Sequence, residues 1–378
     1  MCAGGGVTGA VYEIGCLRAL EELLDRSVLE FDTYVGVSGG AFVASLLAAG
    51  ISPFEMYDET TARSRNPLGV PGDRLFRLGL SELLKRTARA PRVLSEAVTS
   101  LFRGERRNLS DLALSLFELL PAGLLENSGI QEWIAQLFAQ RGQKDRFDAL
   151  QRELYVVAVD LDSGEAVAFG EPAHRNVSVS KAVQASTALP GLYRPVRIGG
   201  HDYVDGGVKK TAHINLAIEH GADLVVCINP IVPILNPQGG PLHGPLSEKG
   251  ISYVLDQVFR IVLHGRMQYG LERYAAEHPE VDILLIEPTR DDVRMFSYHI
   301  MRVSARRIVA EHGYRSALAS LRRRRGSVTR LLKRHGIRMA DPRSLPEHPA
   351  PSRYRSKLAR RLGGSLESLG RRLASRES

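Results

Sequence analysis

A serine flanked by glycines is the residue of this sequence best suited to nucleophilic chemistry. Ser38 lies in the segment Gly36-Val37-Ser38-Gly39-Gly40, which has the pattern G-x-S-x-G. The glycines remove Cβ atoms that would collide where a strand reverses sharply into a helix, so the serine hydroxyl can be exposed. The N-terminus of the following helix would favour the negative charge of an acyl-transfer intermediate. We predict that Ser38 is a nucleophile, although the same pattern also starts ordinary helices.

Glycines near the N-terminus could supply a second part of an acyl-transfer site. Gly4, Gly5, Gly6 and Gly9 lead into residues 10–24, where apolar side chains recur at helical spacing. The backbone N–H groups of such a loop can hold an anion, either a phosphate or the oxyanion of a reacting ester. The phosphate interpretation relies on a G-x-G-x-x-G pattern that needs a preceding strand, and only three residues precede Gly4. The oxyanion interpretation has a partner in the serine of the next strand.

A serine nucleophile needs a base, and Asp205 is the candidate. It follows a short predicted strand and precedes Gly206 and Gly207, a pattern that is also common in ordinary turns. The histidines near and beyond it stand in no distinctive setting, namely His201, His213, His220, His243, His264 and His299. A carboxylate can take the serine proton directly if it lies within hydrogen-bond reach and if partial burial raises its pKa.

The elements that must position these residues alternate between strand and helix. Residues 31–36 are rich in β-branched and aromatic side chains, which predicts a strand, and residues 41–49 predict a helix. Residues 153–160 form a nearly continuous apolar run, as expected for a strand covered on both faces, and 164–169 are expected to pair beside it. A helix is predicted at 179–185 and a strand at 194–198.

Composition excludes several classes of protein. The chain has 378 residues, of which 44% are hydrophobic and 24% charged, as in globular proteins. Cys2, Cys16 and Cys227 are too few and too scattered for a disulfide framework or a metal site, which indicates a reducing compartment. The longest apolar run, 224–235, is too short to span a membrane, and no secretory signal is visible. We expect a cytoplasmic protein that associates peripherally with membranes.

Two regions differ in character from the rest of the chain. Apolar helical stretches separated by proline and glycine predict a helical insertion at about 63–143, either a cap over a cleft or a structural layer; these stretches are 80–87, 92–102, 111–120 and 130–140. The formal net charge of +8 is concentrated at the other end, where residues 302–378 carry 21 Lys+Arg and 5 Asp+Glu.

The basic region divides into a helical extension and a tail. Helices are predicted at 296–321 and 328–335, within an extension at 301–341, and a proline-containing linker and tail occupy 342–378. Leucines at 357–373 lie on one helical face among arginines, which favours an anionic membrane surface as a partner. A solvated, disordered tail is the alternative. Nucleic acid is not expected, because aromatic residues for base stacking are nearly absent there.

Four motifs in register give the chain a family resemblance. Gly4-Gly5-Gly6-x-x-Gly9, Gly36-x-Ser38-x-Gly40, Ala185-Ser186-x-x-x-Pro190-Gly191 and Asp205-Gly206-Gly207 follow the order and spacing seen in patatin-like phospholipases. The resemblance covers about residues 1–300, with 224–228 and 281–288 as later core strands. It implies an α/β fold, a three-layer α/β/α sandwich with a mostly parallel central sheet.

The resemblance also implies an activity and its residues. A lipid acyl hydrolase of this family uses a Ser-Asp dyad, here Ser38 and Asp205, and needs neither a metal nor an organic cofactor. The oxyanion hole would be formed by Gly4, Gly5 and Gly6, the elbow by Gly36, Gly39 and Gly40, and supporting positions by Gly206, Gly207 and Pro190. The substrate would be a membrane phospholipid or another acyl-ester lipid.

Two departures from the family pattern leave alternatives open. Relatives usually have Lys or Arg where this chain has Thr8, so reduced activity or an altered substrate is expected. Only residues 1–3 stand where relatives have a strand, which predicts a poorly preorganised glycine loop and a start codon assigned too late or a truncated chain. One alternative is an α/β-hydrolase esterase with a Ser-His-Asp triad, in which His299 could serve. The other is a catalytically weak lipid-binding protein.

Overall fold

A computed structural model describes residues 1–62, 77–78, 122–237, 242–298 and 300–349. Its strands are β1 (Thr33–Val37), β2 (Arg77–Leu78), β3 (Gly123–Glu126), β4 (Glu153–Asp160), β5 (Ala166–Phe169), β6 (Gly191–Tyr193), β7 (Val196–Ile198), β8 (His201–Asp205), β9 (Leu224–Ile228) and β10 (Asp282–Ile286). Its helices are α1 (Gly6–Leu23), α2 (Gly39–Ala48), α3 (Pro53–Thr61), α4 (Ser128–Gln140), α5 (Val179–Ser186), α6 (Ile214–Glu219), α7 (Ile251–Glu277), α8 (Val293–Ser297), α9 (Arg306–Arg323) and α10 (Arg325–Arg334).

Some predicted elements lie outside the described residues. They are the insertion helices at 80–87, 92–102 and 111–120, and the amphipathic segment at 357–373. The strands predicted around the serine and at 153–160 and 224–228 are confirmed, as are the helices at 179–185 and 130–140 to within a few residues. No helix of the described ranges has the length and hydropathy that crossing a bilayer requires.

The central sheet is parallel through its middle and antiparallel at one side. β1 pairs in parallel with β4, and β9 pairs in parallel with β10. β8 and β5 also pair with β4, both antiparallel and on opposite edges of it, and β7 then pairs with β8. β2, β3 and β6 form a separate three-stranded sheet. The serine and the aspartate thus come from strands that both neighbour β4.

Residues 1–3 join β1 to β9, so the expectation of an unsupported glycine loop is wrong. Cys2 bridges both strands in parallel. The backbone hydrogen bonds run to both sides: Cys2 N–H to Val35 O (2.9 Å), Ala3 N–H to Ile228 O (3.0 Å) and the Met1 ammonium to Val226 O (2.9 Å). Residues 1–3 thus have hydrogen-bond partners in both neighbouring strands, and the glycine loop that follows them starts from the sheet.

Alternate residues of the strands face two different apolar layers. In β4, Val156 and Ala158 pack in one cluster with α1, α2 and α9, whereas Tyr155 and Val157 pack in a second cluster with α6 and α7. This alternation follows from the two-residue period of a strand. A sheet covered by helices on both faces is the three-layer α/β/α sandwich that the resemblance implied.

α9 packs directly on α1, with glycines at the contact. A Cβ atom on Gly15 would lie 2.1 Å from the carbonyl oxygen of Ala310, and one on Gly313 would lie 2.3 Å from that of Tyr12. The two backbones therefore touch without side chains between them. Residues of the predicted extension at 301–341 thus cover the first helix; the domain boundaries themselves stay a prediction.

The helix predicted at 296–321 is interrupted. α8 ends at Ser297 and α9 begins at Arg306. Between them the carbonyl oxygen of Ile300 accepts a hydrogen bond from the N–H of Thr8 at 3.0 Å. The chain therefore leaves the helical path to contact the start of α1, and it forms part of the wall of the site described next.

Candidate active site

β1 and α2 form a sharp turn with Ser38 at its apex. Ser38 has a φ angle of 54°, in the left-handed region that L-residues seldom adopt. A Cβ atom on Gly36 would lie 2.5 Å from Ala41 Cα, and one on Gly40 would lie 2.3 Å from the carbonyl oxygen of Cys2. Only glycine fits at these two crossings. The surrounding contacts hold the serine in strained geometry at the N-terminus of α2, as the sequence pattern predicts.

A buried hydroxyl fixes this turn to the sheet. The hydroxyl oxygen of Ser186, the last residue of α5, accepts a hydrogen bond from the N–H of Ser38 at 2.9 Å. The same hydroxyl donates to the carbonyl oxygen of Val157 at 2.6 Å. Since Ser186 is fully buried, water does not compete for these bonds. The backbone of the serine is therefore tied to the centre of β4 through a single side chain.

Asp205 ends β8 and meets the serine. Its Oδ1 accepts a hydrogen bond from the N–H of Gly207 at 2.8 Å, and its carboxyl group lies beside the hydroxyl of Ser38. Burial raises the pKa of Asp205 to about 6, although the bonds from Ser38 and Gly207 act in the opposite direction. Such a carboxylate is ionised near neutral pH and is a stronger base than an exposed one.

The glycine loop runs beside the serine but offers fewer backbone N–H donors for an oxyanion than predicted. A Cβ atom on Gly4 would lie 3.4 Å from Ser38 Cβ. The N–H of Gly4, however, donates to the carbonyl oxygen of Thr211 at 3.2 Å and so already has an acceptor. Gly5 caps α1 and Gly6 is its first residue, where N–H groups have no acceptor within the helix. The predicted oxyanion hole is thereby narrowed to Gly5 and Gly6.

The remaining predicted residues have different surroundings. A Cβ atom on Gly39 would lie 2.2 Å from the carbonyl oxygen of Gly6, so this glycine lets the elbow approach the loop. A Cβ atom on Gly206 would lie 2.3 Å from the carbonyl oxygen of Val157. Pro190 is exposed and lies outside the wall of the site, whereas its neighbour Leu189 lines it.

An apolar cavity of about 110 Å³ adjoins Ser38 and Asp205. α1 supplies one face of its helix to the wall, namely Val7, Ala10, Val11 and Ile14. These positions extend over about 10 Å of the helix. Among the described residues, Asp205 and Arg306 are the charged side chains that line the cavity. Such a cavity can hold a hydrocarbon chain beside the serine.

The described histidines are placed away from this cavity, and none of them lines it. His213 is the first histidine after Asp205, and burial lowers its pKa to about 4. His201 contacts Asp160 at 2.9 Å. His299, named for the triad alternative, lies outside the described residues. Asp205 is therefore the carboxylate that the described part of the chain brings to the cavity beside Ser38.

Three contributors to the site were not assigned from sequence. Ser186 belongs to the motif Ala185-Ser186-x-x-x-Pro190-Gly191, so the sequence did contain a signal for its role. Thr211 and Arg306 had no such signal, because only the fold brings them to the glycine loop and the cavity. Thr8 is buried, and its hydroxyl donates to the carbonyl oxygen of Ile300 at 3.4 Å; it does not line the cavity.

Comparison with known proteins places these features in context. The family model described as patatin-like phospholipase matches residues 1–218. The "Probable lipid hydrolase 463L" of Invertebrate iridescent virus 6 is 20% identical over 216 residues, which cover 57% of this chain and 62% of that protein. The uncharacterized protein YqhO of Bacillus subtilis (strain 168) is 24% identical over 216 residues, which cover 54% of this chain and 62% of YqhO. This chain thus spans less than two thirds of these relatives.

Among solved structures, VipD from Legionella pneumophila aligns with 90% of this chain and 67% of its own, at a TM-score of 0.38 and 17% identity. The family match carries more weight, since it covers more than half of the chain. It includes the glycine loop, the serine elbow and the aspartate. The chain belongs to the patatin-like phospholipase family.

Proposed function

We propose that this protein is a serine-dependent lipid acyl hydrolase that cleaves carboxylic esters of membrane lipids, of the phospholipase A or lysophospholipase type. The Ser38 hydroxyl attacks the ester carbonyl while Asp205 accepts its proton. The N–H groups of Gly5 and Gly6 stabilise the tetrahedral oxyanion. Asp205 returns the proton to the leaving alcohol, and water, deprotonated by Asp205, then hydrolyses the acyl ester on Ser38.

One observation carries this proposal: Ser38 and Asp205 lie together in the wall of an apolar cavity, and the hydroxyl of Ser38 is close enough to lower the pKa of the carboxyl group. The strained elbow and the Ser186 hydroxyl hold the nucleophile, and burial makes the carboxylate a stronger base. The cavity accommodates the acyl chain. The printed name of the viral relative, a probable lipid hydrolase, supports the same substrate class.

We further propose that the protein acts from the cytoplasm at a membrane surface. α7 exposes an apolar stripe at spacings of four, three, four and seven residues, beginning with Ile251 at 72% exposure and continuing through Leu255, Val258, Val262 and Tyr269. The same helix contributes Phe259 and Leu263 to the cavity wall, so lipid on the stripe would lie beside the site. The basic tail at 342–378, described as far as residue 349, would add attraction to anionic lipid.

The test is the release of fatty acid from defined lipids, measured by mass spectrometry. Phospholipid, lysophospholipid and neutral glyceride vesicles are compared for wild type, Ser38→Ala and Asp205→Ala. We expect both substitutions to abolish release, whereas Ser45→Ala, a buried serine of α2 outside the cavity wall, retains it. Release that survives Ser38→Ala would refute the mechanism. Lipid binding without release by wild type would favour the lipid-binding alternative.

A further inference from the structure

Arg306 places an unsatisfied cation in the wall of the cavity that holds Ser38 and Asp205. Its Nε is buried and has no hydrogen-bond partner among the described residues. Arg306 is the first residue of α9, and the first turn of that helix contains no acidic residue. A buried N–H of a charged group without an acceptor costs free energy. Arg306 therefore lines the cavity without a hydrogen bond or ion pair to any described residue, and a ligand in the cavity can supply an acceptor to its guanidinium.

The surroundings of this donor favour a ligand with an anionic oxygen group. The wall beside Arg306 is apolar, with Val303 one turn earlier in the chain. A guanidinium binds phosphate or carboxylate through two parallel hydrogen bonds, which are stronger where water is excluded. Asp205, the other charged residue among the described residues of the wall, accepts a hydrogen bond from the N–H of Gly207 instead. The cavity thus combines an apolar surface for a chain with one cation for a charged end.

We propose that Arg306 forms an anion subsite that binds the phosphate or carboxylate group of an amphiphilic ligand whose hydrocarbon chain lies in the same cavity. The assignment deepens the proposed function and rests on it for the identity of the substrate. The family resemblance leads to the expectation of a basic residue where this chain has Thr8. Thr8 is turned toward Ile300, and α9 supplies the cation from another part of the fold.

The subsite makes the enzyme selective for an anionic lipid over a neutral one with the same acyl chain. The test compares lysophosphatidic acid with the matching monoacylglycerol, and free fatty acid is added separately as an inhibitor. We expect Arg306→Gln to lower the ratio of the two kcat/KM values roughly 10- to 100-fold if the group is phosphate. If the group is carboxylate, the substitution raises the inhibition constant of the fatty acid by a similar factor.

Two further variants distinguish recognition from a general effect on the protein. Arg307→Gln removes the same charge from an exposed neighbour outside the cavity wall and is expected to change neither measurement. Arg306→Lys keeps the charge without the two-pronged geometry and is expected to retain part of the selectivity. An Arg306→Gln protein that keeps both the ratio and the fatty acid inhibition of wild type would overturn the proposal.

A binding measurement separates this subsite from the hydrolase proposal. Ser38→Ala protein is heated with dodecyl phosphate or with dodecanol, and the shift in the melting temperature is recorded. We expect a larger shift with dodecyl phosphate, and loss of that excess in the Ser38→Ala, Arg306→Gln double variant. If wild type hydrolyses neither ester but this excess depends on Arg306, the subsite stands and the hydrolase proposal fails. Equal shifts from both compounds would refute the subsite even if hydrolysis is found.

Discussion

The carboxyl group proposed as the base should destabilise the fold at neutral pH. Asp205 is 3% exposed, and burial raises its pKa from 3.8 to about 6. The native state therefore binds the proton more tightly than the unfolded state. Between these two values the stability of the protein falls as the pH rises, and above about 6 the full cost of the buried charge is present.

Asp205→Asn removes this cost while keeping the shape of the side chain. The amide oxygen can still accept the bond from the N–H of Gly207, and the amide nitrogen can donate to the hydroxyl of Ser38. A shift of about two pKa units corresponds to about 3 kcal/mol. We expect the variant to be inactive but more stable than wild type, by about 3 kcal/mol at about pH 8 and by about half of that at about pH 5. Below the unfolded-state pKa the gain disappears.

Urea unfolding followed by circular dichroism at several pH values measures the difference. Asp282→Asn is the control, because the hydrogen bond from Arg334 lowers the pKa of Asp282, and the bond from His335 acts in the same direction. That substitution should destabilise the protein near neutral pH, whereas Asp205→Asn should stabilise it. The reasoning is refuted if Asp205→Asn gives no gain at about pH 8, or a gain that does not change with pH.

Three other outcomes follow from the same geometry. The kcat/KM for any accepted ester should rise with pH through about 6, as Asp205 ionises, and a profile that is flat there would exclude it as the base. Ser186→Ala removes hydrogen bonds to two buried backbone groups, so it should lower kcat and reduce the free energy of unfolding by about 2 kcal/mol, more than Ser45→Ala, whose hydroxyl makes one backbone bond. Val258→Asp should weaken co-sedimentation of the protein with anionic vesicles, whereas Ile308→Asp, which changes an exposed apolar residue of α9, should not. Equal effects of the two substitutions would contradict a lipid-binding role for the α7 stripe. So would a Val258→Asp protein that still binds vesicles but no longer self-associates.

The sequence was most informative where local geometry dictates residue type. A strand that reverses into a helix needs glycines beside the turn, so Gly36, Ser38 and Gly40 could be recognised without a structure. β4 could be recognised because a strand covered on both faces is apolar at nearly every position. In both cases the residues that decide the structure are neighbours in the chain.

The errors concern contacts between distant parts of the chain. Residues 1–3 are too few for an alternating pattern, so nothing local shows that β1 and β9 hydrogen-bond them from both sides. No local pattern indicates that the N–H of Gly4 already has an acceptor, because Thr211, which accepts its hydrogen bond, follows about two hundred residues later. Arg306 was counted among the charges of a basic extension, since only the packing of α9 brings it to the cavity.

The contact between α9 and α1 indicates that the folding unit extends beyond residue 218, where the family match ends. A protein ending at residue 218, where the family match ends, would lack β9, β10 and the whole of α9. The backbone surface around Gly15 would then face water, and Leu23 would lose the hydrogen bond that its carbonyl oxygen accepts from the N–H of Ala340 at 2.7 Å. We expect such a fragment to aggregate, so libraries and chimeras of this enzyme should preserve the chain through about residue 340.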